Sequence, residues 1–480
     1  MYRANQLRWV GFVGVLVLTA ATLAGELPSE PWPAAMPMLA AAVAGMGLLV
    51  LAWTLLGRVV TGAADAPDSR WLRWTLVLWG GPLLVAPPLF SEDVYSYLAQ
   101  GEIAARGLDP YAAGPAEALG PSSAITERVS DYWSEAPSPY GPVFGGFQRG
   151  IAEITEENVV ASVLAYRLVA VAGLALIVWA VPRLADVAGA RAPVALWLGV
   201  LNPLVLWHFV AGMHNDSLMI GLMLAGTAFA LQALGERFDP ARLALGVALI
   251  AAGASVKLPA VVALAVVGTA LARRRGGGPV RLAGSGAAMV LAVLLVAAVG
   301  SLLSGLGFGW LGTLGTSGGV NSWMAPTNWF GFLTGGIGSL FGAQITQTMI
   351  GVGRIIGYVL IVSGLIVVIR RQLQGRIPDV AALGAMLGLV VVFGPVVQPW
   401  YVLWAAIPFA LCLPSGRART ALAAALTIFS VLIPPLAGDF TGKVGELVLA
   451  YVVGLLVVGG CFAFLRASSR HETTEVSPRR

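Results

Sequence analysis

Apolar residues in this chain gather in long, nearly unbroken runs, not in one-sided stripes. Such runs appear near 9–25, 36–57, 71–90, 158–181, 192–211, 215–235, 282–303, 345–369, 378–395, 399–414, 419–437 and 446–466. A helix needs about 20 apolar residues to cross a bilayer, so each run reads as a membrane span. Small residues at 20–25 give the first run a passing likeness to a signal peptide, but the many spans that follow need no cleaved leader. The stretch 243–272 is longer than one span, and Lys257 followed by Pro259 interrupts it midway. Read as a short hairpin that enters and leaves on one side, it brings the total to about 14 membrane segments. The expected fold is an all-α polytopic membrane bundle.

The polar positions between the runs fix a direction. Arg3 and Arg8, Arg58 to Arg73, Arg183 and Arg191, Arg237 and Arg242, Arg273 to Arg281, Arg370 to Arg376, Arg417 and Arg419, and Arg466 to Arg480 all fall at alternate ends of the spans. By the positive-inside rule these ends face the cytoplasm. All of them can do so only if 243–272 is a hairpin, and both termini are then cytoplasmic. One large extracytoplasmic loop follows, at about 91–157. It holds eleven acids (Glu92, Asp93, Glu102, Asp109, Glu117, Glu127, Asp131, Glu135, Glu153, Glu156, Glu157) against three bases (Arg106, Arg128, Arg149). A second outer segment, 304–344, has no charged residue and is rich in Gly, Ser, Asn, Thr and Trp. The expected organisation is one integral-membrane domain over 1–470 and a cytoplasmic tail at 471–480.

Composition agrees and excludes other classes. Of 480 residues, 58% are hydrophobic and 11% charged, and the mean hydropathy is +0.82. Soluble domains carry about 25% charged residues, and disordered chains and coiled coils need abundant charge. The two cysteines, Cys412 and Cys461, lie in apolar runs and suit neither a disulfide framework nor a zinc site. The net charge of +5 is a topology signal and gives no reason to expect a nucleic-acid partner.

Ionisable groups at membrane depth are costly and are functional candidates by default. Glu92 and Asp93 directly follow the third run, where an apolar wall ends and a polar pocket can begin. Such carboxylates can deprotonate a hydroxyl, hold a cation or simply cap the next helix. His208 and His214, two of three histidines, lie within seven positions, and Asn215 and Asp216 follow the second. Asp216 opens a span, where its charge complements the positive helix end. That leaves His214 and Asn215 unexplained and marks a site, with His208 the structural member. Lys257, one of two lysines, either snorkels or meets an anion near the outer surface. Arg167, inside the fourth run, is a second cation for the same task or the partner of a buried acid, and Arg354 is similar.

Aromatic residues with polar neighbours complete the set: Tyr95, Asp131-Tyr132-Trp133, Tyr140, Trp323, Asn328-Trp329, Gln398-Pro399-Trp400-Tyr401 and Trp404. Trp and Tyr line membrane interfaces generally. Several on one face beside carboxylates also form a sugar platform, since pyranose rings stack on aromatics while their hydroxyls take directed hydrogen bonds.

Taken together, Ser91-Glu92-Asp93-Val94-Tyr95-Ser96-Tyr97, Gly107-Leu108-Asp109-Pro110-Tyr111, Pro139-Tyr140-Gly141-Pro142, Leu201-Asn202-Pro203 through His214-Asn215-Asp216, and Val256-Lys257-Leu258-Pro259 resemble the integral-membrane GT-C glycosyltransferases. More narrowly the chain resembles the actinobacterial polyprenol-phosphate-mannose-dependent α-(1→6)-mannosyltransferases of lipomannan and lipoarabinomannan assembly. The likeness is strongest from about 90 to 260. It implies a GT-C-type helix bundle in the plasma membrane with an extracytoplasmic active site. It also implies a polyprenol-phosphate-mannose donor, a mannose-bearing lipid or oligosaccharide acceptor, and inversion at the anomeric carbon. Asp93 matches the family's catalytic base, with Glu92 in support. Lys257, His214 and Arg167 become candidates for the donor phosphate. Asn215, Asp216, Tyr95, Tyr140, Trp323, Asn328, Gln398, Trp400 and Tyr401 become candidates for substrate contacts. The acidic pair is not a spaced Asp-x-Asp, so no cofactor is implied, although a divalent cation fits the chemistry. Competing readings are a lipid-linked-sugar transporter or flippase, and a GT-C enzyme for another sugar such as arabinose.

Overall fold

A computed structural model describes residues 2–26, 32–62, 66–413, 416–435 and 443–475. Every regular element among them is helical. Among the described residues seven helices are long and apolar enough to cross a membrane: Arg3–Ala24, Met36–Thr61, Val159–Val187, Asp216–Ala233, Pro279–Ser304, Thr346–Leu373 and Val444–Ala467. An eighth crossing comes from a pair bent by 55°, Ala192–Gly199 with Pro203–Ala211. Pro240–Ala254, Asp379–Phe393 and Pro399–Ala410 are apolar but shorter. The chain is thus a polytopic membrane protein. The last five residues of the expected tail, 476–480, lie outside the described residues.

The stretch 243–272 is a hairpin. Helix Pro240–Ala254 ends beside Lys257, and helix Val261–Arg274 leads away from it. Arg274 Nη1 then donates to Leu234 O at 2.7 Å and also to Gly235 O, at the end of the Asp216–Ala233 helix. Start and finish therefore share one end of the bundle, and Lys257 sits at the other. Other basic residues behave alike. Arg8 Nη2 donates to Trp71 O at 2.7 Å, and Arg273 Nη2 reaches Asp379 Oδ2 at 2.8 Å while its Nη1 donates to Gln372 O.

Small residues set the helix spacing near the site. Gly173 and Gly221 face each other so closely that a methyl on either would overlap the other helix's backbone, and Gly226 meets Gly246 in the same way. Helices in lipid gain little from apolar contact and pack by such close approach. The Asp216–Ala233 helix is thereby clamped between Val159–Val187 and Pro240–Ala254, which fixes Asp216 at its start. Gly141 touches the backbone of Ser255 and ties the acidic 91–157 segment to the Lys257 turn, where Val143 N also donates to Ser255 O at 3.2 Å.

Candidate active site

Four segments end at one place. After helix Ser69–Leu83 the chain turns through Phe90, with φ of +66°, into helix Asp93–Ala105. Asp93 opens that helix, and its backbone N–H donates to Ser91 Oγ at 3.1 Å. The bent pair finishes in a π-helix, Leu206–Ala211, followed by Met213 at a φ of +52° and 1% exposure. π-Helices and left-handed non-glycine residues are costly and cluster at functional sites. Here they turn His214 and Asn215 inward before Asp216 starts its own helix.

The charged side chains meet in two linked pairs. His214 Nδ1 lies 3.3 Å from Asp93 Oδ2, an ion-pair distance without hydrogen-bond alignment. Lys257 Nζ donates to Asp216 Oδ2 at 2.8 Å, and Trp404 Nε1 donates to Asp216 Oδ1 at 2.7 Å. Asp216 is fully buried, whereas the Asp93 side chain keeps 19% of its surface open. Burial pushes the Asp93 carboxyl up, but His214, Lys257 and Ser91 outweigh it and hold it below its ordinary value. Glu92 is pushed up, by burial and then by the charges of Asp131 and Asp93. Adjacent carboxyls with opposed shifts are a pattern of functional sites.

Aromatic rings wall the pocket. Trp400 stacks on His214 with centroids 3.6 Å apart, and Tyr401 stacks on Trp404 at 4.1 Å. The Lys257 ammonium lies 4.6 Å from the Tyr401 ring centre. Tyr97 packs edge-on to Tyr140 at 5.4 Å. Burial, then neighbouring phenols and carboxylates, raise both of these hydroxyls well above their usual value, so they remain donors at neutral pH. Both amide atoms of Asn215, His214 Nε2, His208 Nδ1 and Trp400 Nε1 are buried with no hydrogen-bond partner among the described residues. Buried polar atoms are nearly always satisfied, so this concentration beside Asp93 marks a place built for a polar ligand. No group of three His, Cys, Asp or Glu side chains among the described residues could hold a metal ion.

The remaining candidates either flank the site or have partners of their own. Arg167 is 3% exposed and donates to Leu84 O, Ala86 O and Val210 O at 2.8, 2.7 and 3.2 Å, which fixes the backbone on either side of the site. Asn328 is buried, its Nδ2 donating to Ser322 O and Pro395 O and its Oδ1 accepting from Arg354 Nε. Trp323 is 60% exposed and offers its carbonyl to Trp329 Nε1. Gln398 is half-buried at the start of the short turn that carries Trp400 and Tyr401. Tyr95 is half-buried, with the Arg128 guanidinium 6.0 Å from its ring. Trp404, one of the aromatics expected at a sugar platform, joins the site as the partner of Asp216, three positions on from Tyr401.

Two family models match the chain. "Alpha-(1->6)-mannopyranosyltransferase, N-terminal domain" covers residues 8–273, and "MptB C-terminal domain" covers 327–463. Asp93, His214, Asp216 and Lys257 fall in the first, and Trp400, Tyr401 and Trp404 in the second. A relative from Mycolicibacterium smegmatis is 44% identical over 82% of this chain and 74% of its own length. An alpha-(1->6)-mannopyranosyltransferase of Mycobacterium tuberculosis is 40% identical over 82% of this chain and 74% of its own. Alpha-(1->6)-mannopyranosyltransferase A of the same organism is 39% identical over 79% and 72%. No solved structure matches. With both matches spanning most of its length, the chain belongs to the alpha-(1->6)-mannopyranosyltransferase family.

Proposed function

We propose that this protein is an inverting membrane mannosyltransferase. It moves mannose from polyprenol-phosphate-mannose to a mannan-type lipid or oligosaccharide acceptor through an α-(1→6) bond, on the extracytoplasmic face of the plasma membrane. The relatives' names support the sugar and the linkage. The observation that carries the reading is the junction of Asp93, His214, Asp216 and Lys257 under a wall of Trp400, Tyr401 and Trp404. Because that junction draws on both matched regions, the membrane body acts as one catalytic unit.

Asp93 serves as base. Its lowered proton affinity keeps it ionised before reaction, and its partly open side chain can reach a bound hydroxyl. As the acceptor 6-oxygen attacks the anomeric carbon, its proton passes to Asp93 and the carbon–oxygen bond to the phosphate breaks. One displacement of this kind turns a β-linked donor into an α product. The transition state gathers positive charge on the sugar ring, as in glycoside hydrolysis, and negative charge on the departing phosphate. Lys257 has three N–H donors and Asp216 engages one, so the ammonium can face the phosphate while Asp216 holds it in place. Fixed charge of this kind is commonly the largest catalytic term. His214 Nε2, buried without a partner, can take a hydrogen bond from or to the bound substrate, and Asn215 and the Tyr97 and Tyr140 hydroxyls can bond sugar hydroxyls. An apolar groove of 540 Å³ begins at Val261, four residues beyond Lys257, and runs past Leu264, Met289, Leu294 and Met386. Its lining suits the polyprenyl tail. The arginine-rich ends and both termini then face the cytoplasm.

The test is reconstitution of the purified chain in proteoliposomes with polyprenol-phosphate-mannose and an α-mannoside acceptor. The expected product carries a new α-(1→6) mannose. Translocation of the donor without product would overturn the reading in favour of a flippase, and transfer only from an arabinosyl donor would overturn the sugar.

A further inference from the structure

The helical turn Asp131–Ser134 and the charge-free 304–344 segment face each other across a groove of 510 Å³, apart from the carboxylate cluster. One side presents Tyr132 and Trp133, the other Thr316, Gly319 and Asn321. Tyr132 is 73% exposed, so packing does not account for its ring, while Trp133 rests half-buried on the core. The volume falls within the range of about 300–1,000 Å³ typical of small-ligand sites.

The far wall is held rigid by a single cation. Arg354, from helix Thr346–Leu373, donates to Gly318 O at 2.7 Å, to Val320 O and Asn321 Oδ1 at 3.1 Å, and through Nε to Asn328 Oδ1 at 3.1 Å. A guanidinium with this many bonds to one loop fixes the shape of a surface that carries no charge of its own. Because the Asn321 oxygen is taken, its amide N–H groups are the part left to donate into the groove. Two aromatic rings opposite a fixed amide, a threonine hydroxyl and a glycine match a neutral polyhydroxylated chain, whose ring faces stack while its hydroxyls hydrogen-bond. The one cation on the Thr316–Asn321 side, Arg354, is committed to the loop's own oxygens, so what that side offers a ligand is neutral amide, hydroxyl and backbone groups. Neighbours of the groove also lie close to neighbours of the base. Asp131, next to Tyr132, lies near enough to Glu92 to raise its proton affinity, and Arg128 reaches the ring of Tyr95, two residues past Asp93.

We propose that this groove is a remote subsite for the acceptor, gripping mannose units of a growing chain several sugars away from the residue that receives the new one. The inference rests on the mannosyl-transfer reading for the identity of the sugar. It makes the enzyme one that favours acceptors long enough to span from Asp93 to Tyr132.

The test uses the full chain in nanodiscs, with soluble α-(1→6)-linked mannotriose as probe and binding followed by titration calorimetry. Tyr132→Ala, an exposed substitution that leaves the fold intact, weakens mannotriose binding about fivefold to tenfold, the worth of one aromatic contact. Tyr132→Trp retains or tightens it, and Asn321→Ala weakens it by a smaller factor. In transfer assays Tyr132→Ala raises KM for the trisaccharide acceptor and leaves KM for methyl α-mannoside, KM for the donor and kcat unchanged. Wild-type protein that binds no mannotriose, binding that ignores Tyr132, or an equal rise in KM for both acceptors would each overturn the subsite. Tyr132-dependent binding by a wild-type protein that transfers no mannose overturns the catalytic reading and leaves the subsite standing.

Discussion

Lys257 Nζ and Asp216 Oδ2 lie 2.8 Å apart across 41 positions of the chain, and the other oxygen of Asp216 receives the indole N–H of Trp404 at 2.7 Å. Asp216 is sealed from solvent and the Lys257 side chain is 15% exposed. Removing one partner of such a pair leaves an uncompensated buried charge, at a cost of about 3–5 kcal/mol, whereas an apolar replacement of both can be close to neutral. Asp216→Leu alone should therefore lower the thermal midpoint in detergent sharply, and the Asp216→Leu, Lys257→Met double variant should recover most of it. Transfer activity should stay lost in the double variant, because the phosphate has lost its cation. A double variant with near-normal turnover would reduce the pair to a structural role.

Asp93→Asn keeps the shape of the side chain and removes its capacity to accept a proton. Loss of a positioned base costs about 10²- to 10⁴-fold in rate. Turnover should fall into that range while donor binding and thermal stability hold. Wild-type-like kcat in Asp93→Asn would move the base to another group.

The pH profile reports the same residue through its neighbour. Burial alone raises the Asp93 carboxyl, and His214 is the first of the groups that pull it below the ordinary value. A base with depressed proton affinity stays ionised as pH falls, so the acid limb of kcat/KM should lie at or below the usual carboxylate range, about 4. In His214→Gln the burial contribution is less opposed, the carboxyl rises, and the acid limb should move to higher pH. Glu92→Gln removes a neighbouring negative charge and should move the limb slightly the other way. A limb that ignores His214 would detach this histidine from the base.

Much of the site was legible because ionisable residues are scarce in this chain and each one in an apolar run demands a reason. Scarcity singles out Asp93, His214, Asp216 and Lys257, the family resemblance adds the role of Asp93, and the structure brings the four together. The same signal could not separate Lys257 from Arg167, since each is a cation amid apolar residues. What differs is the local backbone. Beyond helix Ser69–Leu83 the carbonyls of Leu84 and Ala86 have no continuing helical turn to bond, and Arg167 satisfies them. Asn328 and Arg354 pair off for a similar reason, in holding loop carbonyls. The hairpin at 243–272 could be read from arginine placement, but the π-helix before His214 could not. Its irregular turn depends on how Trp207 and His208 pack against Phe90 and Trp400, contacts made at long range.

Far from the site, Trp53 and Trp197 form a reciprocal clasp whose loss should unfold the bundle without altering its chemistry. Each indole N–H donates to the other residue's carbonyl at 3.0 Å, and the rings stack with centroids 5.3 Å apart. Gly57, one turn beyond Trp53, makes room for the Trp197 ring, and a methyl there would overlap it. Overpacking of this kind costs about 1–3 kcal/mol, and a buried carbonyl stripped of its donor costs about the same. Gly57→Ala and Trp197→Phe should each lower the thermal midpoint and the yield of folded protein. KM for donor and acceptor should be unchanged in the fraction that folds, because the clasp joins Trp32–Thr61 to Ala192–Gly199 and touches none of Asp93, His214, Asp216 or Lys257. A kinetic defect at normal stability would instead mean that the clasp sets the position of the π-helix that follows it.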